Sequence, residues 1–162
     1  MKRRDKINYY LDIAQTVAKR GTCMRRKFGC IIVQNDEIIS TGYAGAPRGR
    51  QNCNEMGSCV REKLQIPRGQ RYELCRSVHA EANAIISASR KDMIGATLYM
   101  ACIHPDTEEI LPDTNSCSMC KRMIINAGIE KVIVRDDENN YRICMVQDWI
   151  DNDDSLALHE GY

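Results

Sequence analysis

Residues 96–102 read ATLYMAC and residues 117–134 read CSMCKRMIINAGIEKVIV, and the fold turns on how these two stretches are read. ATLYMAC is a short apolar run of the kind that forms a buried strand. CSMCKRMIINA has the pattern of a helix, with Ser116 as its candidate cap and Gly128 as its stop. KVIV is a second β-branched run. Strand, helix and strand between residues 96 and 134 therefore predict a parallel pair joined by a right-handed crossover.

Working outward, VHAEANAIISASR (78–90) reads as a helix with Ser77 as a candidate cap. FGCIIVQ (28–34) and EIISTGY (37–43) are β-branched runs separated by Asn35-Asp36, which predicts a hairpin. Ile7, Tyr10, Leu11, Ala14, Val17 and Ala18 recur at helical spacing before Gly21. YRICMV (141–146) reads as the last strand. The sum is an α/β fold: a mixed sheet of about five strands between helices, in three αβα layers. The expectation is one domain over 1–162. It carries a Cys- and Arg-rich irregular region at 44–77, an insert at 103–116 and an acidic tail at 148–162. A loop as long as 44–77 is usually functional or held by something extra.

The 162 residues are 43% hydrophobic and 28% charged, with a formal net charge of +1. A neutral chain has no global field to attract nucleic acid or a membrane surface. No apolar run has the length of a membrane span, and MKRRDKINYYLDIAQ lacks the apolar core of a signal peptide, so a cytoplasmic protein is expected. Nine cysteines, an odd number, then point to metal or catalysis rather than disulfides. Cys30, Cys102 and Cys144 lie in apolar runs and read as small buried hydrophobes, leaving Cys23, Cys53, Cys59, Cys75, Cys117 and Cys120.

Cys117-x-x-Cys120 alone suits a redox pair, a disulfide or half of a metal site. His79-Ala80-Glu81, at the start of the middle helix, changes the balance. One His and two Cys are three zinc ligands, and an open fourth position marks a catalytic zinc. Glu81 stands two residues beyond the His, better placed to move protons than to ligate. The four cysteines 23, 53, 59 and 75 form a candidate second, structural zinc site pinning the long loop to the first helix.

His79-x-Glu81 followed by Cys117-x-x-Cys120 resembles the zinc nucleobase-deaminase signature, which has Pro where this chain has Ser116. The insert also lengthens the separation between the two halves. Beyond the motif, TCMRRKFGCIIV (22–33), GYAGAPRG (42–49), QNCNEMGSC (51–59), CRSVHAEANAI (75–85) and CSMCKRMIINAGIEKV (117–132) resemble the deoxycytidylate (dCMP) deaminase family over nearly the whole chain. That resemblance implies a cytidine-deaminase-like fold and hydrolysis of dCMP to dUMP and ammonia, supplying dUMP for thymidylate synthesis. It also implies a catalytic zinc on His79, Cys117 and Cys120. Activated water attacks C4, Glu81 carries protons to ring N3 and to the leaving amine, and the Ala80 N–H contacts the pyrimidine carbonyl. Members carry a second zinc near the other four cysteines. They are often hexamers, so a homo-oligomer is expected. A loop of the GYNG type helps them bind dCTP as activator and dTTP as inhibitor. The corresponding residues are Gly42, Tyr43 and Gly45, and Ala44 replaces the Asn, removing an amide that a nucleotide site would use.

A phosphate needs cations. Residues 48–76 contain Arg48, Arg50, Arg61, Lys63, Arg68, Arg71 and Arg76 against Glu55, Glu62 and Glu73. Arg25, Arg26 and Arg76 are the phosphate candidates. Rival readings are a deaminase of dCTP or cytidine, a tRNA adenosine deaminase, and a zinc module without activity. One Phe and one Trp are poor material for stacking single strands, and a purely structural zinc has no need of Glu81. His104 and His159 are expected outside the site, as a loop residue and an exposed one.

Overall fold

The computed structural model describes residues 1–152. In chain order the elements are α1 (Lys6–Ala18), β1 (Lys27–Gln34), β2 (Glu37–Tyr43), α2 (Cys53–Met56), α3 (Val60–Lys63), α4 (Ala80–Ile86) and α5 (Arg90–Met93). They continue with β3 (Thr97–Ile103), α6 (Ser118–Ala127), β4 (Lys131–Arg135), β5 (Tyr141–Met145) and α7 (Val146–Asp151). The five strands form one sheet in the order β2-β1-β3-β4-β5. β3 and β4 are parallel, as the strand–helix–strand reading requires, and every other neighbouring pair is antiparallel.

The period of two in the strands sorts their side chains into two cores. Ile31, Val33, Tyr99, Ala101 and Ile133 meet Tyr10, Leu11 and Ala14 of α1 on one face. Cys30, Ile32, Leu98, Met100, Val132 and Val134 meet Ala80 and Ala84 of α4 and Ile124 of α6 on the other. The sheet thus lies between α1 on one side and α4 with α6 on the other. Asn35 and Asp36 adopt φ of 51° and 63°, the type I′ turn that matches strand twist. A bulge between Ile32 and Val33 shifts the hairpin register. Among the described residues no helix is long and apolar enough to cross a membrane.

Several expectations are corrected. The helix read over 78–90 is two short helices: α4 ends at Ile86, and Ser89 caps α5 by accepting from the Asp92 N–H. Neither Ser77 nor Ser116 is a cap. His79 and Cys117 occupy those positions, and neither makes a side-chain capping bond. Both serine hydroxyls are buried without a hydrogen-bond partner, because each helix begins one or two residues later than the serine would require. The 44–77 region holds α2, α3 and a 3₁₀ turn at Tyr72–Leu74. The 103–116 insert folds back through a bridge between Ile103 and Ile110. Residues 146–151 of the C-terminal part form α7, whereas residues 153–162 of the acidic tail, with His159, lie outside the described residues.

Candidate metal and catalytic centre

Two glycines and a short bridge set the position of α4. A Cβ on Gly42 would collide with the Ala80 carbonyl oxygen and the Ala84 nitrogen, so β2 and α4 touch backbone to backbone there. Gly45 and Val78 exchange hydrogen bonds at 3.2 and 2.8 Å, and Asn83 Nδ2 donates to the Tyr43 carbonyl at 2.9 Å. Gly42, Tyr43 and Gly45 thus hold the segment that leads into His79.

His79 stands at the start of α4 and Cys117 at the start of α6, with Cys120 in the first turn of α6. Nδ1 of His79 lies 3.4 Å from the sulfur of Cys117 and 3.4 Å from that of Cys120. Zinc at about 2.3 Å from sulfur and about 2.0 Å from nitrogen needs tetrahedral ligands about 3.6 Å apart, so the three side chains fit the ion. Among the described residues they are the one group of three metal-ligating side chains whose ligand atoms all lie within 4.8 Å of one another. The charges agree. Burial opposes an imidazolium at His79, but hydrogen bonds with Cys117 and Cys75, then the charge of Glu81, push its pKa up to about 10. Cys117 is drawn down to about 4, first by its hydrogen bond with Cys120, and Cys120 is raised because the pair shares a proton. A divalent ion would take the place of the protons these three side chains share, leaving a neutral imidazole and two thiolates as its ligands.

Glu81 is 3% exposed. Burial raises its carboxyl, opposed by the His79 charge, its own backbone N–H and the Ser116 hydroxyl. A raised carboxyl suits proton transfer near neutral pH. His79, Ala80, Glu81 and Cys117 line one cavity together with Arg25, Arg26, Arg61, Arg68 and Asn115. Of the phosphate candidates, Arg25 and Arg26 line it. Arg76 gives its Nε–H to the Gln51 carbonyl at 2.8 Å and is not among the lining residues. Arg61 and Arg68 were legible only as two of seven cations, and Asn115 not at all, because nothing in TNS before Cys117 marks it out.

Cys23, Cys59 and Cys75 line the same cavity. Cys53 is buried, and burial raises its thiol with further contributions from Cys23, Cys75 and Cys59. The four are within electrostatic reach of one another, but their sulfurs do not gather as closely as the His79 group. Cys75 bonds with His79 instead, which outweighs burial and lowers its thiol. Cys30 and Cys102 are fully buried with raised thiols, and Cys144 packs against the core, as inert hydrophobes do. His104 shapes a loop, its Nδ1 accepting from the Asp106 and Thr107 N–H groups.

The family model described as the cytidine and deoxycytidylate deaminase zinc-binding region matches residues 4–136. The deoxycytidylate deaminase of Mycobacterium phage D29 is 37% identical over 82% of this chain and 96% of its own length. That of Schizosaccharomyces pombe is 36% identical over 78% of this chain, which spans only 35% of that longer protein. The dCMP deaminase of cyanophage S-TIM5 is similar in structure. Its apo form superposes with a TM-score of 0.57 at 25% identity, covering 83% of this chain and 86% of its own. Its complex with dCMP and dUMP gives 0.59 at 22% identity over 98% and 97% of the two chains, a likeness of fold.

Proposed function

The chain belongs to the cytidine and deoxycytidylate deaminase zinc-binding family, and from that premise we propose that it hydrolyses dCMP to dUMP and ammonia. One observation carries the reading: His79 Nδ1 lies 3.4 Å from both thiols of the CxxC pair, with the buried carboxyl of Glu81 lining the same cavity. Zinc held by His79, Cys117 and Cys120 supplies the Lewis acidity that makes water a nucleophile at neutral pH. The chain does the rest. Glu81 takes one proton from the attacking water and gives it to ring N3, then takes the second from the hydroxyl left on C4 and gives it to the amine, so that ammonia leaves as the C4 carbonyl forms. The Ala80 N–H, at the wall of the cavity, orients the pyrimidine carbonyl. Arg25 and Arg26 bring positive charge to a nucleotide phosphate.

Cys23, Cys53, Cys59 and Cys75 close on a second, structural zinc that ties the 44–77 region to the end of α1. Their shared neighbourhood supports this reading, and it requires the four sulfurs to draw together around the ion. The enzyme works in the cytoplasm as a homo-oligomer of the hexameric kind. Regulation by dCTP and dTTP at Gly42, Tyr43 and Gly45 is weakened by Ala44.

The decisive experiment is ammonia release from dCMP, dCTP, cytidine and a tRNA anticodon stem, with and without dCTP and dTTP, beside a zinc count per chain. Turnover of dCMP well above the others, lost on chelation and restored by zinc, is expected. Preference for any other substrate overturns the assignment. A count near one zinc per chain instead of two removes the structural site alone.

A further inference from the structure

Arg61, on α3, is 4% exposed and lines the cavity that holds His79 and Glu81. A buried guanidinium normally has an anion beside it, because an uncompensated buried charge costs several kcal/mol. Among the described residues no carboxylate pairs with Arg61; the carboxyl that feels its charge, Glu73, is exposed and pairs with Arg71 at 2.9 Å. The orientation of Arg61 is nevertheless fixed. Nη2 donates to the Pro67 carbonyl at 2.8 Å and to the Gln70 carbonyl at 2.6 Å. The guanidinium lies 4.2 Å over the Tyr72 ring. Its Nε is buried without a partner.

The other cations differ. Arg25 is more exposed and pairs with Glu62 at 3.2 Å. Arg26 is half-buried and Arg68 exposed. Arg61 alone among these combines burial, a held orientation and an unused N–H. Its place suits one end of a ligand. The Tyr72 ring touches both groups: the guanidinium lies over it, and its centroid is 5.5 Å from that of the His79 ring and nearly perpendicular to it. Arg61 and the His79 imidazole thus share one aromatic neighbour.

Resting on the deaminase reading above, we propose that Arg61 is a phosphate-binding residue of the substrate cavity, its guanidinium charge facing the nucleotide 5′-monophosphate. The rival role for the same charge is to balance the thiols of Cys59 and Cys75, which line the same cavity.

The test compares wild type with Arg61→Gln and Arg61→Lys on dCMP and on deoxycytidine, which lacks the phosphate. Arg61→Gln is expected to raise KM for dCMP at least tenfold, with kcat/KM for deoxycytidine unchanged and the same zinc count. Arg61→Lys restores part of the loss, since it keeps the charge without the fork. Inorganic phosphate should raise the melting temperature of wild type and fail to do so for Arg61→Gln, a readout that survives even if no cytosine compound is turned over and the deaminase reading falls. Equal losses on dCMP and deoxycytidine, or a fall in zinc with phosphate binding intact, overturn the proposal in favour of a structural role. If Arg61→Gln does not fold, a wild-type melting temperature indifferent to phosphate overturns it as well.

Discussion

At the scale of single residues, Glu81 and Ser116 carry opposite expectations. Among the described residues Glu81 is the one carboxyl lining the cavity with His79 and Cys117, and burial raises it towards holding a proton. Glu81→Gln keeps the shape and loses the proton carrier, so kcat should fall by about 10²–10⁴ while the zinc count stays constant. Equal activity in that variant would disprove the role. Ser116 is fully buried and its hydroxyl has no hydrogen-bond partner, although it lies near enough to Glu81 to favour the charged carboxylate. An unsatisfied buried hydroxyl costs about 1–3 kcal/mol. Ser116→Ala should therefore melt at the same temperature as wild type or higher. Ser116→Pro, which installs the motif residue, also deletes the N–H that Ser116 gives to Asn115 Oδ1 at 2.8 Å, and should melt lower by about 1 kcal/mol of stability. A drop in melting temperature for the alanine variant would mean that the hydroxyl is satisfied after all.

At the scale of elements, the site depends on how closely α4 approaches the sheet. Gly42 leaves room for the α4 backbone on one face, and Gly29 does the same for α1, where a Cβ would collide with the Ala14 carbonyl oxygen and the Ala18 nitrogen. Each Gly→Ala change should cost about 1–3 kcal/mol or more as overpacking. Only Gly42→Ala displaces the helix that begins beside His79 and Glu81. It should lower kcat and zinc affinity of the folded protein, whereas Gly29→Ala lowers stability and leaves kcat near wild type. Matching kinetic losses in both variants would show that the site does not read the position of α4. The same contrast explains what the sequence revealed about elements. Apolar, β-branched strand runs, the Asn35-Asp36 turn and the 13-residue α1 are local signals that composition, a dihedral preference or a period discloses. α2 and α3, at four residues each, are too short to show any period, and the break after α4 turned on which of three consecutive small residues, Ser87, Ala88 and Ser89, would cap.

At the scale of the whole molecule, His79, Cys117 and Cys120 were legible because helix starts and ligand spacing are written locally, and the fold had only to bring two starts together. Arg61 was not, because burial and the absence of an anion are properties of the packed chain. Arg135 makes the same point on the opposite face. It is 2% exposed, and its charge is met from α1: Asp12 Oδ1 at 2.8 Å, Gln15 Oε1 at 2.8 Å, and the Asn8 carbonyl and Oδ1 at 3.2 Å. This pair fastens the fourth strand to the first helix. Breaking a buried ion pair costs about 3–5 kcal/mol and an exposed one below about 1. Asp12 is 46% exposed, so Asp12→Asn should cost an intermediate amount, about 1–3 kcal/mol at neutral pH. Burial works against the charge of Asp12, but hydrogen bonds from Arg4 and Arg135 outweigh it and hold its pKa below the ordinary value of 3.8. A depressed folded-state pKa means that the contribution is complete above the unfolded value and is lost as pH falls through the folded one. The stability difference between wild type and Asp12→Asn should therefore be constant from neutral pH down to about 4 and shrink below it. Urea midpoints at a series of pH values read this directly. A difference that persists undiminished well below pH 3 would mean that Asp12 acts on Arg135 through packing and not through its charge.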